Sequence, residues 1–185
     1  MSFTLDVSEL QLHPATTSRL LDTLQIERPN LVRFEARREQ PSFPAVAIRD
    51  LLRATLRHRP DRIIVGEVRG GEAFDLLQAL NTGHSGTLST IHANSAEQAL
   101  ARFSSCVVQS GVELPYQAVR YQIADAIDLV LHLGRTQGAR VVRQLIRINR
   151  YDAERDRYEA DVLFSVDGVE QRRGSGSSSN AAGSH

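Results

Sequence analysis

The sequence is poor in cysteine, lacks tryptophan and carries no net charge. Its 185 residues include one cysteine, and 22 acidic side chains balance 22 basic ones. The single thiol, Cys106, excludes an internal disulfide, and we expect it to be a small buried side chain. Zero net charge also removes the overall field that would gather nucleic acid or anionic lipid around the protein.

No segment has the pattern of a membrane anchor or a secretory leader. Residues 1–6 lack both a basic region and an apolar region, and no uninterrupted apolar run approaches the roughly 20 residues that cross a bilayer. A hydrophobic content of 41% is enough for one ordinary core. We therefore expect a cytoplasmic protein without a transmembrane segment, whose membrane association goes through partners.

Apolar spacing predicts alternating helices and strands in the first part of the chain. Apolar residues at helical spacing predict a helix from about Pro44 to His58. The run over residues 62–65 predicts a strand that is covered on both faces within a parallel sheet. A helix over 73–80, a strand over 87–91 and a helix that begins at a Ser95–Gln98 capping box repeat this order.

The last third of the chain predicts a different arrangement. A helix over 115–123 precedes strands near 129–131, 141–148 and 158–164, which turns would join into an antiparallel appendage. Residues 174–185 are rich in glycine and serine and have little to bury, so they predict a flexible tail.

The residues directly after the first predicted strand are candidates for chemistry. In open parallel sheets, ligands bind beyond the carboxyl ends of the strands, and Gly66, Glu67 and Arg69 lie there. A carboxylate at this point can hold Mg²⁺ through its water shell, and an arginine two residues later can meet a phosphate oxygen. A solvated Glu–Arg pair fits the same local pattern, and spacing alone does not decide between the two.

Longer segments resemble the motifs of one family. Residues 59–73, RPDRIIVGEVRGGEA, closely resemble the Walker B segment of the secretion ATPases that serve type II and type IV secretion, conjugation and type IV pili. Residues 82–94, TGHSGTLSTIHAN, resemble the histidine box of that family, at the expected distance and in the expected order. Residues 30–37 and 115–124 are similar to its tight-adherence-pilus and conjugal-transfer branch. The resemblance runs from about Leu5 to Phe164.

This resemblance implies roles for individual residues. Glu67 would occupy the Walker B carboxylate position and bind the metal ion, and His92 would lie near the terminal phosphate as a catalytic sensor or positioning group. Gly66, Arg69 and Thr90 would bind the nucleotide. Without the motif, a histidine that ends a β-branched run is more simply a satisfied surface or core side chain.

Residues 5–10 resemble the acidic box of the family, which is usually written Ile-Glu-Asp-x-x-Glu. Leu5 stands where the first glutamate is expected, while Asp6 and Glu9 keep the other two acidic positions. The resemblance implies that Glu9 is the general base that orients the attacking water and that Asp6 assists the metal ion. Acids that favour the start of a helix through its dipole are the alternative interpretation.

The resemblance implies an α/β fold that contains a partial RecA-like P-loop NTPase core with a mostly parallel sheet. We expect this core in residues 1–110, a C-terminal helical and antiparallel β appendage in 111–173, and the tail in 174–185. The implied function is that of an ATPase subunit in a secretion, conjugal transfer or pilus assembly motor, with ATP and Mg²⁺ as cofactors. The implied partners are further subunits of a homo- or hetero-hexameric ring and inner-membrane platform proteins, at the inner face of the cytoplasmic membrane.

The phosphate loop of the family, Gly-x-x-x-x-Gly-Lys-Ser/Thr, does not occur in the sequence. Without it, we expect the chain alone to be inactive and the remaining sheet to expose an apolar face or edge. Three explanations stay open. The chain is a fragment of a split, truncated or late-started ATPase, a non-catalytic degenerate ring subunit, or an independent interaction module or phosphotransfer enzyme.

A basic ridge follows from the four-residue spacing of Arg49, Arg53 and Arg57, with Arg59 and Arg62 close behind. It predicts a solvated helix face, a subunit contact or a charge supplied to a neighbouring nucleotide site. No aromatic residues interleave these arginines as a single-strand platform requires, so we expect no direct contact with nucleic acid.

Overall fold

The computed structural model describes residues 30–41, 43–84, 86–136 and 138–166. Asp6 and Glu9, and with them the predicted acidic box, lie outside the described residues. The elements in chain order are α1 (Ile48–Leu56), β1 (Ile64–Val65), α2 (Glu72–Asn81), β2 (Leu88–Ser89), α3 (Ala96–Val108), α4 (Tyr116–Ala126), β3 (Leu129–Thr136), β4 (Ala139–Asp152) and β5 (Arg157–Ser165). This order agrees with the predicted strand–helix alternation followed by antiparallel strands.

Strands β1 and β2 form a short parallel sheet, with Ile64 opposite Leu88 and Val65 opposite Ser89. Helix α2 connects them, as parallel strands require a crossover connection. Ile63 and Val65 are buried in the core, whereas Ile64 and Leu88 are 38% and 51% exposed. The prediction that the first strand is covered on both faces is therefore wrong in the described part of the chain, where Val65 is buried and its neighbour Ile64 is exposed. The expected exposed apolar sheet face is present at Ile64 and Leu88.

Helices α2, α3 and α4 pack together and supply most of the core. Local signals set their ends. The Ser95 hydroxyl accepts a hydrogen bond of 3.1 Å from the Gln98 backbone N–H, which is one half of the predicted capping box. Just beyond α2, Gly83 has a φ of 100°, a backbone conformation that favours glycine and helps to end the helix where the sequence predicts. None of the helices within the described ranges combines the length and hydrophobicity that a membrane crossing requires.

Strands β3, β4 and β5 form an antiparallel sheet in that order. Ile146 and Ile148 of β4 belong to the same buried cluster as Val119 and Ile123 of α4. That cluster also contains side chains of β1, α2 and α3, so one core joins residues on both sides of position 110. The domain boundary expected there stays a prediction.

All four tyrosines of the chain lie in one cluster with Arg120 of α4, which we call the tyrosine cluster. The guanidinium carbon of buried Arg120 lies 5.6, 4.9 and 4.2 Å from the ring centroids of Tyr116, Tyr151 and Tyr158. Tyr121 meets Tyr151 edge to face, with centroids 5.1 Å apart. Cation–π and aromatic contacts therefore tie α4 to the antiparallel sheet.

A buried carboxylate ties α1 to α2. Asp75 of α2 is buried, and its two oxygens lie 2.5 Å from Nε of Arg49 and 2.9 Å from Nε of Arg53. Two arginines of the predicted basic ridge thus form ion pairs with the neighbouring helix, so the ridge is not a purely solvated helix face. Arg57, one turn further on, is exposed.

Candidate functional site

The backbone on both sides of Glu67 is fixed by Thr90. Glu67 lies just beyond the carboxyl end of β1, and Thr90 directly follows β2. The Thr90 hydroxyl donates a hydrogen bond of 2.6 Å to the carbonyl oxygen of Gly66, and the Val68 N–H donates one of 2.8 Å to the Thr90 carbonyl oxygen. The buried side chain of Val68 anchors the same turn in the core. These contacts hold the Glu67 backbone at the edge of the sheet.

Glu67 contacts two side chains that the sequence motifs singled out separately. One carboxylate oxygen, Oε2, lies 2.5 Å from Nη2 of Arg69, and the other, Oε1, lies 3.2 Å from Nε2 of His92. The side chains of Arg69 and His92 are 75% and 86% exposed, so both have room to move. The structure therefore brings Glu67, Arg69 and His92 together at one open edge of the parallel sheet.

Glu72 closes the turn between β1 and α2, a role that the sequence analysis missed. Its Oε1 accepts hydrogen bonds from the backbone N–H groups of Arg69, at 2.6 Å, and of Gly70, at 3.0 Å. The available signal was an acid in the first turn of a helix, where unpaired backbone donors favour a carboxylate. The backbone of Arg69 is therefore held although its side chain is largely exposed.

The charge state of Glu67 follows from these neighbours. The hydrogen bond from Arg69 is the main cause that lowers the pKa of the Glu67 carboxyl below its ordinary value of 4.5. Partial burial acts in the opposite direction, and the positive fields of Arg69, His92 and Arg102 add to the lowering. The same pair raises the pKa of the Arg69 guanidinium. Glu67 is therefore an anionic carboxylate at neutral pH, as a cation ligand must be.

The donor set fits Mg²⁺ better than zinc. Within the described part of the chain, no group of three or more histidines, cysteines, aspartates or glutamates is arranged to hold a metal ion. Zinc requires such a cluster, whereas Mg²⁺ keeps several waters and needs only one or two carboxylates together with phosphate oxygens. A Cβ added at Gly66, the residue before Glu67, would meet no atom within 4 Å, so the backbone at Gly66 is not crowded.

The predicted nucleotide ligands have specific partners in the structure. The Thr90 hydroxyl is bound to Gly66, and the Arg69 guanidinium is bound to Glu67. The roles of Gly66, Arg69 and Thr90 toward a nucleotide stay predictions, as do the catalytic role of His92 and the metal-binding role of Glu67.

The fold and the site define an α/β protein with its candidate ligand site at the carboxyl edge of parallel strands. The chain belongs to the family of type II/IV secretion system proteins, because the model of that family matches residues 6–179.

Individual relatives agree with this family. A putative conjugal transfer protein of Mycobacterium tuberculosis is 39% identical over 140 residues, which cover 75% of this chain and 39% of the relative. The type IV secretion system protein PtlH of Bordetella pertussis is 39% identical over 145 residues, which cover 77% of this chain and 39% of the relative. The chain thus spans about two fifths of the length of these relatives.

A solved structure is similar to part of the fold. The VirB11 ATPase from the Brucella suis type IV secretion system, crystallised with sulphate, is 33% identical with a TM-score of 0.53. The match covers 55% of this chain and 32% of that chain. The predicted fold class, a partial α/β ATPase core, is confirmed.

Proposed function

We propose that this chain supplies the Walker B carboxylate and the sensor histidine of an ATP-hydrolysing site in a type IV secretion or conjugal transfer motor. The observation that carries the proposal is the convergence of Glu67, Arg69 and His92 at the carboxyl edge of the β1–β2 sheet. Relatives named for conjugal transfer and type IV secretion support this kind of transport system, and a structural neighbour named as an ATPase supports the reaction class.

Each residue of the site has a task that its geometry suits. Glu67, anionic and partly exposed, holds the hydrated metal ion that accompanies ATP. Mg²⁺, when bound, neutralises charge on the phosphate oxygens during transfer to water. His92 contacts Glu67 at 3.2 Å, and its side chain is 86% exposed, which suits a group that senses or positions the terminal phosphate. Thr90 keeps the Glu67 backbone in place during this chemistry.

The residues that bind the β- and γ-phosphates have to be supplied by another segment. All 22 basic side chains of the printed sequence are arginines, so none of these residues is the lysine that contacts the β- and γ-phosphates in a phosphate loop. We propose that a segment carrying that loop pairs with the β1–β2 sheet and covers the exposed Ile64 and Leu88. We further propose a hexameric ring of such subunits that contacts inner-membrane platform proteins from the cytoplasmic side.

Co-expression with a segment that carries the phosphate loop of the family tests the proposal. We expect a soluble complex with magnesium-dependent ATP hydrolysis. Glu67→Gln should abolish turnover more than ATP binding, because it removes a group that acts on the metal and water while the loop still holds the phosphates. His92→Ala should slow turnover. Glu113→Gln, which changes an exposed glutamate of the α3–α4 connection, is the matched control and should leave the rate unchanged.

Two results would contradict the proposal in different ways. A complex that binds ATP and in which Glu67→Gln hydrolyses it as fast as the parent would remove Glu67 from the reaction. A soluble complex that binds ATP but never hydrolyses it would favour the alternative of a non-catalytic ring subunit. Light scattering on the same samples tests the proposed ring, which a strictly monomeric mass would contradict.

A further inference from the structure

We propose that the Arg69 side chain acts as a placeholder on Glu67, so that a divalent cation binds this carboxylate only as Arg69 leaves it. In this view Arg69 is a positioning residue that keeps the metal site closed before its ligand arrives. The inference rests on the proposed function of Glu67 and adds a step to it. It also differs from the sequence-based prediction, in which Arg69 simply binds the nucleotide.

Competition follows from how the Glu67 oxygens are occupied. Arg69 Nη2 lies 2.5 Å from Oε2, within hydrogen-bond distance, and His92 Nε2 lies 3.2 Å from Oε1. A guanidinium is always charged and has no lone pair to offer a metal ion, so its presence at Oε2 opposes a cation both by contact and by charge. The His92 contact is longer than the Arg69 contact, and the His92 side chain is 86% exposed, so His92 holds its carboxylate oxygen less closely. Arg69 is therefore the main competitor for the carboxylate.

The surroundings allow this exchange at little structural cost. The backbone of Glu67 is held through Thr90, and the backbone of Arg69 is held through Glu72. Only the Arg69 side chain has to move, and at 75% exposure it leaves Glu67 without opening the core. An exposed guanidinium on a held backbone, beside a carboxylate whose own backbone is held, is what a displaceable placeholder requires.

Manganese binding to the chain alone provides the test, with Mn²⁺ as a paramagnetic substitute for Mg²⁺. Electron paramagnetic resonance measures free Mn²⁺, and broadening of the amide NMR signals of residues 66–68 shows that the ion sits beside Glu67. We expect Arg69→Gln to bind Mn²⁺ about threefold more tightly than the parent. This ratio of dissociation constants corresponds to the free energy that one exposed ion pair contributes. Arg69→Lys, which can still pair with Glu67, should stay close to the parent.

Arg102→Gln is the matched control. Arg102 acts on Glu67 through its positive field without a hydrogen bond, so its loss should change Mn²⁺ affinity less than the loss of Arg69. Equal gains in Mn²⁺ affinity in Arg69→Gln and Arg102→Gln would overturn the placeholder proposal, because a general effect of positive charge would then explain both. Unchanged or weaker binding in Arg69→Gln would overturn it as well.

Glu67→Gln separates the failure of this inference from the failure of the proposed function. Loss of the site-specific broadening in Glu67→Gln, together with no gain in Arg69→Gln, overturns only the placeholder. Undiminished broadening in Glu67→Gln contradicts the metal-binding role of Glu67 and overturns both.

Discussion

The hydroxyl of Thr90 is bound to the carbonyl oxygen of Gly66, 2.6 Å away, although the two residues are 24 positions apart in the sequence. This bond extends the β1–β2 pairing beyond the last strand residues and reaches the turn that carries Glu67. Thr90 therefore has a structural task at the site, whatever it does toward a nucleotide.

Thr90→Val should test this task. Valine keeps the shape but cannot donate, so we expect a loss of about 1 kcal/mol in the free energy of unfolding, typical of one hydrogen bond. Hydrogen exchange of the Val68 amide should also become faster. Thr90→Ser keeps the hydroxyl and should stay near the parent in both measurements. If Val68 exchange is the same in all three proteins, the hydroxyl does not hold the turn.

Asp75→Asn should loosen the contact between α1 and α2. The substitution keeps the size of the side chain but removes the buried charge that pairs with Arg49 and Arg53. We expect the free energy of unfolding to fall by about 2 kcal/mol, as measured by denaturant titration. Asp125→Asn on the exposed side of α4 is the control, with a change within about 0.5 kcal/mol. Equal midpoints for the two variants would contradict the role of Asp75.

Arg120→Lys should weaken the attachment of the antiparallel sheet. The Arg120 guanidinium donates to the Tyr116 hydroxyl at 3.1 Å and to the Asp156 carbonyl oxygen at 3.3 Å. Lysine keeps the charge but has no planar group to stack on the tyrosine rings while donating in two directions. We expect a loss of about 2 kcal/mol in unfolding free energy. Arg135→Lys in the exposed part of β3 is the control. If both substitutions change the unfolding free energy by the same small amount, the prediction is wrong.

Stability at high pH should depend on Tyr151. Its hydroxyl donates a hydrogen bond of 2.6 Å to the Asp156 carboxylate, which together with burial raises the pKa of Tyr151 from 10.0 to about 12. The folded state therefore holds this proton more tightly than the unfolded state. The resulting stability is fully present below pH 10.0 and is lost as the pH rises toward about 12. Ultraviolet titration of phenolate should include a tyrosine that ionises near the upper value, and burial also raises the pKa of Tyr158.

Asp156→Asn is the matched variant for this pH effect. Asparagine tolerates the φ of 47° at this position and keeps an acceptor oxygen, but it removes the negative charge. We expect the pKa of Tyr151 to fall back toward 10.0. An unchanged Tyr151 titration in Asp156→Asn would show that the carboxylate charge is not a cause.

The order of helices and strands was predictable because it depends on local apolar spacing. The sequence placed α1, α3 and α4 within a few residues of their observed bounds, and the cap at Ser95 was visible as a short motif. The proximity of Glu67 and His92 came from the resemblance rather than from spacing, since contact between two loops depends on how β1 and β2 pair.

Long-range polar contacts were not predictable from one sequence. Asp75 interrupts the apolar pattern of α2 and looks like a solvent-facing acid, yet its partners lie 26 and 22 positions earlier on another helix. The pattern of β1 alone did not show which of its two sides is exposed, for a related reason. A short apolar run shows that a strand is apolar, but it does not show which of its faces is covered.

The tyrosine cluster gives the chain an intrinsic fluorescence reporter. The sequence has no tryptophan and four tyrosines, all of which lie where α4 meets the antiparallel sheet. The near-ultraviolet emission of the unlabelled protein therefore originates at this contact. Any partner or ligand that shifts the sheet on α4 should change that emission, whereas a change confined to the edge beside Glu67 should leave it constant.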